Sequence, residues 1–151
     1  MLVEMIKAPR QMTRPEIEAL LELSVPARLA TIDREGFPHV TPLWFIWVDG
    51  AFYLTSIVDR PHLHRLSVNP RAGLCVDVER SERKDGEHPN QQVRVTGRAE
   101  LFPDDAGLWT SRITEKYVLG SAAVAMRASR VADERIVICL RPDRLTAVAS
   151  V

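Results

Sequence analysis

Residues 55 to 66, TSIVDRPHLHRL, gather two hydroxyls, two arginines and two histidines where a strand-like run gives way to helix signals. Pro61 suits a first helical turn, Asp59 is placed to cap it, and Leu63 and Leu66 share a core-facing stripe. On that register Arg60, His62 and Arg65 project away from the core. A helix start exposes unpaired N–H groups and a partial positive charge, which suits an anion. With the hydroxyls of Thr55 and Ser56 at the strand end, these groups compose a cradle for one phosphate. Two readings compete with it. The Asp59 carboxylate could occupy the same N–H groups, and a polar helix start with scattered arginines is also ordinary solvated surface.

The other constellations are weaker. His62 and His64 form an H-x-H pair, but on a helix start their side chains diverge by roughly 200°, which disfavours metal ligation. His39 reads as a surface histidine at a strand end. Trp44, Phe45 and Trp47 cluster on one strand, with Trp44 opposite the other two under strict alternation. One face can fill a core while the other packs on a ligand ring or a second subunit. Arg94 and Arg98 share the polar face of another strand, where solvated surface is the default and a contact with an anionic group the alternative. Cys75 and Cys139 sit in apolar runs and read as buried thiols in a reducing compartment. There is no Gly-rich phosphate loop, no nucleophile elbow and no zinc spacing.

These groups need a frame. Thr13 and Glu16 have capping-box spacing and Pro15 suits a first turn, so a helix is predicted over about residues 14–23, with Ile17, Leu20 and Leu21 inward. RLATIDREGFPHVTPLWFIWVDGAFYLTS reads as three strands joined by tight turns at Glu35-Gly36 and Asp49-Gly50. Pro42 marks an edge or a bulge, because it cannot donate to a ladder. AGLCVDVE is a fourth strand, SERKDGEHPNQ a polar loop, and VRVTGRAELF a strand with Val93, Val95, Gly97, Ala99 and Leu101 on one face. Pro103, Asp104 and Asp105 open a helix to about Tyr117, with Leu108, Ile113 and Tyr117 inward. SAAVAMRASR extends that helix or forms a surface segment, and RIVICLRP and RLTAVAS close the chain as two strands. The expected fold is mainly β (α+β): a split antiparallel β-barrel of six to seven strands with peripheral helices, in one domain over 1–151.

At 151 residues the chain can bury a core without disulfide or metal. Lys plus Arg and Asp plus Glu each number 20, so no general basic field attracts nucleic acid or an anionic membrane. No apolar run approaches the roughly 20 residues of a membrane span, and the N-terminus lacks the apolar core of a secretory signal. The expectation is a cytoplasmic protein.

In order and spacing, LATIDREGFPHVTPLWF, FYLTS, RPHLHRLSVNPRAGLCV and VRVTGRAEL resemble the pyridoxamine 5′-phosphate oxidase-like superfamily of split-barrel flavoproteins, and EKYVLG resembles a later family element. The resemblance implies a homodimer with cofactor at the subunit interface: FMN, the deazaflavin coenzyme F-420, or haem in some relatives. It implies that Thr41, Pro42, Leu43 and Trp44 line the flavin ring, that Thr55 and Ser56 reach the ribityl-phosphate, and that Arg60 and His62 contact the phosphate. Many relatives carry Lys where this chain has His62, an imidazole mostly neutral at pH 7. The C-terminal LRPDRLTAVASV lacks the substrate-binding tail of true pyridoxamine phosphate oxidases.

The expected function is FMN-dependent hydride transfer to a small substrate, with no protein acid or base required. Modest local positive charge favours FMN over F-420, whose longer anionic tail needs basic residues beyond the helix start. A non-catalytic flavin- or haem-binding protein is the alternative. Haem would draw on His39, His62, His64 or His88 as axial ligand.

Overall fold

A computed structural model describes residues 8–79 and 90–151. The polar loop read from SERKDGEHPNQ lies almost wholly outside the described residues, as does His88.

The elements are β1 (Arg10–Gln11), α1 (Arg14–Glu22), β2 (Ala27–Ile32), β3 (Pro38–Leu43), β4 (Ile46–Val48), β5 (Ala51–Ile57), α2 (Pro61–Val68), β6 (Arg71–Val78), β7 (Gln91–Pro103), a 3₁₀ turn (Asp105–Gly107), α3 (Leu108–Tyr117), α4 (Ala122–Ala132) and β8 (Arg135–Ala149). The sheet runs β3-β2-β6-β7-β8-β5-β4, with β1 on β8, and every pairing is antiparallel. Its two edges, β3 and β4, are consecutive in the chain yet unpaired with each other, so the wrapped sheet stays open at Trp44–Phe45. This is the split barrel the sequence leads one to expect. Pro42 lies on the edge strand β3, where its missing N–H costs no ladder bond.

Local chemistry explains most element boundaries. The Thr13 hydroxyl accepts from Glu16 N–H and the Glu16 carboxylate accepts from Thr13 N–H, closing a capping box at α1. Asp49 and Gly50 both take positive φ, as a two-residue type I′ hairpin between β4 and β5 requires. On β7, Val93, Val95, Gly97 and Ala99 are buried and alternate with exposed Arg94, Thr96, Arg98 and Glu100.

The core has two layers. Leu29, Phe45, Phe52, Leu54, Leu74, Val76, Val93, Ile138 and Leu140 fill the barrel, with Leu20 and Leu21 of α1 and Leu63 and Leu66 of α2 packed into the same cluster. A second cluster joins Tyr53, Val137 and Cys139 of the sheet's other face to Ile113 of α3. Strand β5 is therefore buried on both faces.

Four expectations are corrected. The strand expected to carry Trp44, Phe45 and Trp47 is two, β3 and β4, because the chain leaves the ladder at Trp44–Phe45. The two closing strands are one strand, β8. The β7 ladder shifts register at Thr96/Gly97, pairing Thr96 with Arg144 and Gly97 with Pro142, so Asp143 is accommodated as a bulge and Pro142 does not end the strand. At Gly97 an added Cβ would stand 2.5 Å from the Arg141 carbonyl, so the close crossing needs glycine. SAAVAMRASR belongs to a separate helix, α4. Leu108 is exposed, and the buried stripe of α3 is Thr110, Ile113 and Thr114, because the helix starts later than expected. Asp104 still serves its start, accepting from Trp109 N–H and Thr110 N–H.

Cys139 is buried and Cys75 half-buried; both are free, and burial raises both thiol pKa values. Among the described residues no helix is long and apolar enough to cross a membrane.

Candidate functional site

Alternation along β5 decides where its last hydroxyls point. Thr55 follows Tyr53 toward α3, where its Oγ1 lies 3.1 Å from Thr110 Oγ1. Thr110 Oγ1 also lies 2.6 Å from Asp104 Oδ2, an acceptor only, so the Thr110 proton goes to Asp104 and Thr55 donates to Thr110. Ser56 follows Leu54 to the barrel end beneath α2. Its hydroxyl donates to Ile57 O at 3.2 Å and lies 2.7 Å from Nε2 of His62. That pattern places a proton on Nε2. The two hydroxyls foreseen as phosphate donors are thus engaged within the chain.

His62 is corrected as well. It was expected to project from the core; it is 6% exposed, because the first turn of α2 folds back over Ser56. Burial first, then Arg65 and Arg60, push its imidazole below the ordinary value. His62 is neutral near pH 7, and His64 on the opposite side is exposed. The Asp59 cap does not form. Asp59 takes a left-handed φ of 64°, Arg60 occupies the N-cap position, and no side chain caps α2. The carboxylate that threatened to fill the helix start is out of the way, and the Arg60 guanidinium has no hydrogen-bond or carboxylate partner among the described residues.

Every site residue expected from the sequence borders one open cleft of about 770 Å³. Thr41, Pro42, Leu43 and Trp44 form one wall, Thr55 and Ser56 the strand end, and Arg60 and His62 the helix start. Three arginines join Arg60: Arg65, Arg130 and Arg135. No carboxylate among the described residues lines the cleft. Arg65 Nε donates to the buried Thr31 hydroxyl at 2.8 Å, and Arg135 Nε to Arg130 O at 3.0 Å. Arg130 Nη1 donates to Thr114 Oγ1 at 2.6 Å, and its guanidinium lies 4.8 Å from the Trp44 ring centroid. Burial and like-charged neighbours lower both pKa values, for Arg130 through Arg135 and for Arg135 through Arg60, although Asp133 and Asp104 oppose this at Arg135. Such a cluster favours a bound anion.

Arg130 and Arg135 were missed from the sequence. Arg135 reaches the cleft because β8 pairs with β5 and sets it beside Ile57, and Arg130 because α4 lies on α3. Both depend on long-range packing; the only local signal was the run of arginines in RASRVADER. The Trp44 ring stacks on Tyr117, centroids 4.7 Å apart and planes 2° from parallel, while Phe45 is in the barrel core. The alternation read from the sequence holds here.

An open antiparallel barrel with an arginine-lined cleft at its seam defines a split-barrel protein. The sequence pattern of pyridoxamine 5′-phosphate oxidase matches residues 13–149, and the chain belongs to that family. Among curated proteins, none matches this sequence. Among solved structures, an F420 reductase is 25% identical with a TM-score of 0.66, over 85% of this chain and 94% of its own. A FAD-binding protein from Mesorhizobium loti is 21% identical, TM-score 0.66, over 96% and 100%. A FAD and heme binding protein from Mycobacterium smegmatis is 19% identical, TM-score 0.70, over 95% and 74%.

Proposed function

We propose that the cleft holds FMN and that the protein is a flavin-dependent oxidoreductase acting on a small electrophilic substrate. The observation that carries this is the set of four guanidiniums around a cleft that no carboxylate among the described residues lines, at the uncapped start of α2. A phosphate fits there: Arg60 supplies free donors, and the first N–H groups of α2 supply oriented dipoles. His62 adds shape rather than charge, being neutral and bonded to Ser56. Trp44 and the backbone of Thr41–Leu43 offer a wall for the ring. Arg130, beside Trp44, stands where negative charge on a reduced ring would be stabilised. When bound, FMN would supply hydride transfer, and the chain's residues would anchor, orient and shield it.

A homodimer with cofactor at the interface belongs to the same proposal. Supporting it, β3 is an edge strand with β2 as its one partner among the described residues, and Val40, next to Thr41 of the cleft wall, and Phe37, at the β2–β3 turn, are 64% and 63% exposed.

A deazaflavin-dependent reductase is the second reading, favoured by one observation. Arg65 borders both this cleft and an adjoining one of about 1040 Å³ that carries Arg34, Arg71 and Arg98 alongside Asp33 and Glu35. An anionic tail longer than one phosphate could run over Arg65 into it. Haem is the weakest fit at this cleft: His62 Nε2 is held by Ser56, His39 Nε2 by Asp33, and His64 lies outside the cleft lining.

The test is a visible spectrum of the purified protein, followed by titration with FMN, F420 and haemin. Saturable FMN binding with flavin bands supports the first reading. F420 binding without FMN binding reverses the cofactor, and a Soret band with neither flavin bound overturns both.

A further inference from the structure

No α3 side chain lines the cleft, yet α3 holds three of its parts. At its start, the Asp104–Thr110 pair fixes Thr55 at the end of β5. In its middle, Thr114 receives the Arg130 guanidinium, and its own hydroxyl is anchored on Thr110 O at 2.7 Å. At its end, Lys116 and Tyr117 take both backbone polar groups of Phe45. Tyr117 Oη accepts from Phe45 N–H at 3.3 Å and donates to Val25 O at 2.8 Å. Lys116 Nζ donates to Phe45 O at 3.1 Å and to Leu21 O at 2.9 Å, and lies 3.7 Å from the Phe45 ring centroid.

The geometry has a clear cause. Between β3 and β4 the chain leaves the ladder at Trp44–Phe45, just where Phe45 is fully buried. A buried N–H and C=O without ladder partners must find others. Adjacent residues of one helix supply both, and the Tyr117 ring lies flat on Trp44.

We propose that α3 is the positioning scaffold of the cleft, with Lys116 and Tyr117 as positioning residues that fix the Leu43–Phe45 wall against which the cofactor stands. The proposal rests on the cofactor reading above, but the clamp can be measured without any cofactor.

The experiment uses the full chain labelled with 5-fluorotryptophan, the Trp44 resonance being assigned by its loss in Trp44→Phe. Tyr117→Phe keeps the stacked ring and removes the hydroxyl; Lys116→Met keeps the stem and removes the ammonium. Val93→Ala, in the barrel core on β7, no residue of which lines the cleft, controls for general destabilisation. In each clamp variant the Trp44 resonance shifts or broadens, and FMN affinity falls by roughly fivefold to tenfold, the scale of one hydrogen bond; Val93→Ala changes neither. An unmoved Trp44 resonance in the clamp variants overturns the proposal, as does unchanged FMN affinity, or an equal loss of affinity in Val93→Ala. If Lys116→Met does not fold, Tyr117→Phe decides. If the unaltered protein binds no FMN, the FMN reading falls, and the Trp44 resonance alone decides the clamp.

Discussion

Nε2 of His62 and the hydroxyl of Ser56 stand 2.7 Å apart, both buried, where β5 ends beneath the start of α2. The pair makes folding sensitive to acid. In the unfolded chain the imidazole titrates near 6.5, whereas in the fold burial, Arg65 and Arg60 lower its pKa. Below pH 6.5 the unfolded chain takes up a proton that the fold resists, so stability falls as pH drops from 6.5 toward the lowered value. Thermal melts between pH 8 and pH 5 should show this loss, and His62→Gln, which keeps a donor for Ser56, should flatten it. Equal slopes in the two proteins would show that His62 is not the group responsible.

Arg60 lines the cleft with no hydrogen-bond or carboxylate partner among the described residues, so the described fold does not depend on its guanidinium. Arg60→Ala should weaken FMN binding by about 1–3 kcal/mol, the range for a hydrogen bond to a charged group. Its melting temperature should match that of the unaltered protein. Isothermal titration beside a thermal melt measures both; undiminished affinity would remove Arg60 from the phosphate site.

The contrast between His62 and Arg60 shows how far the sequence could be read. Local signals were reliable where a residue and its neighbours settle the geometry: the Thr13–Glu16 box, the Asp49-Gly50 turn, the alternation of β7 and the opposed faces of Trp44 and Phe45. They failed where tertiary packing overrides a local preference. Asp59 has the chemistry of a cap, but the chain turns left-handed there. His62 is polar, but α2 closes over it. Pro142-Asp143 looks like a strand end, but a bulge absorbs it. The cradle was legible at one end only, because Arg135 arrives through the pairing of β8 with β5 and Arg130 through the packing of α4 on α3.

Lys116 predicts a second pH dependence, in alkali. Burial pulls its ammonium from 10.5 down to about 8, against Glu22, which favours the charge. The Leu21 and Phe45 carbonyls also favour the charged form. Arg112 and Glu115 share its small outer cavity with Glu22. Between about 8 and 10.5 the unfolded chain holds a proton that the fold has released, so this group makes stability rise with pH across that window. Lys116→Met should lose that component. Melts at pH 7.5, 9 and 10.5 check it, and a variant with the same alkaline slope as the parent would show the amine to be unperturbed.

Arg130 carries the most direct consequence for redox chemistry. Its guanidinium is held by Thr114 and lies 4.8 Å from the Trp44 ring, at the wall proposed for the flavin. A fixed positive charge there stabilises the reduced, more negative ring over the oxidised one, and half-burial strengthens the effect by limiting solvent screening. Arg130→Met keeps much of the stem over Trp44 while removing the charge. The midpoint potential of bound FMN should fall. Arg135→Met, hydrogen-bonded to the α4 backbone rather than placed over Trp44, should move the potential less. Spectroelectrochemical titration of both variants against the parent separates a local effect at the ring from a general loss of positive charge. Equal shifts in the two variants would assign the effect to the cleft's net charge and not to Arg130's position.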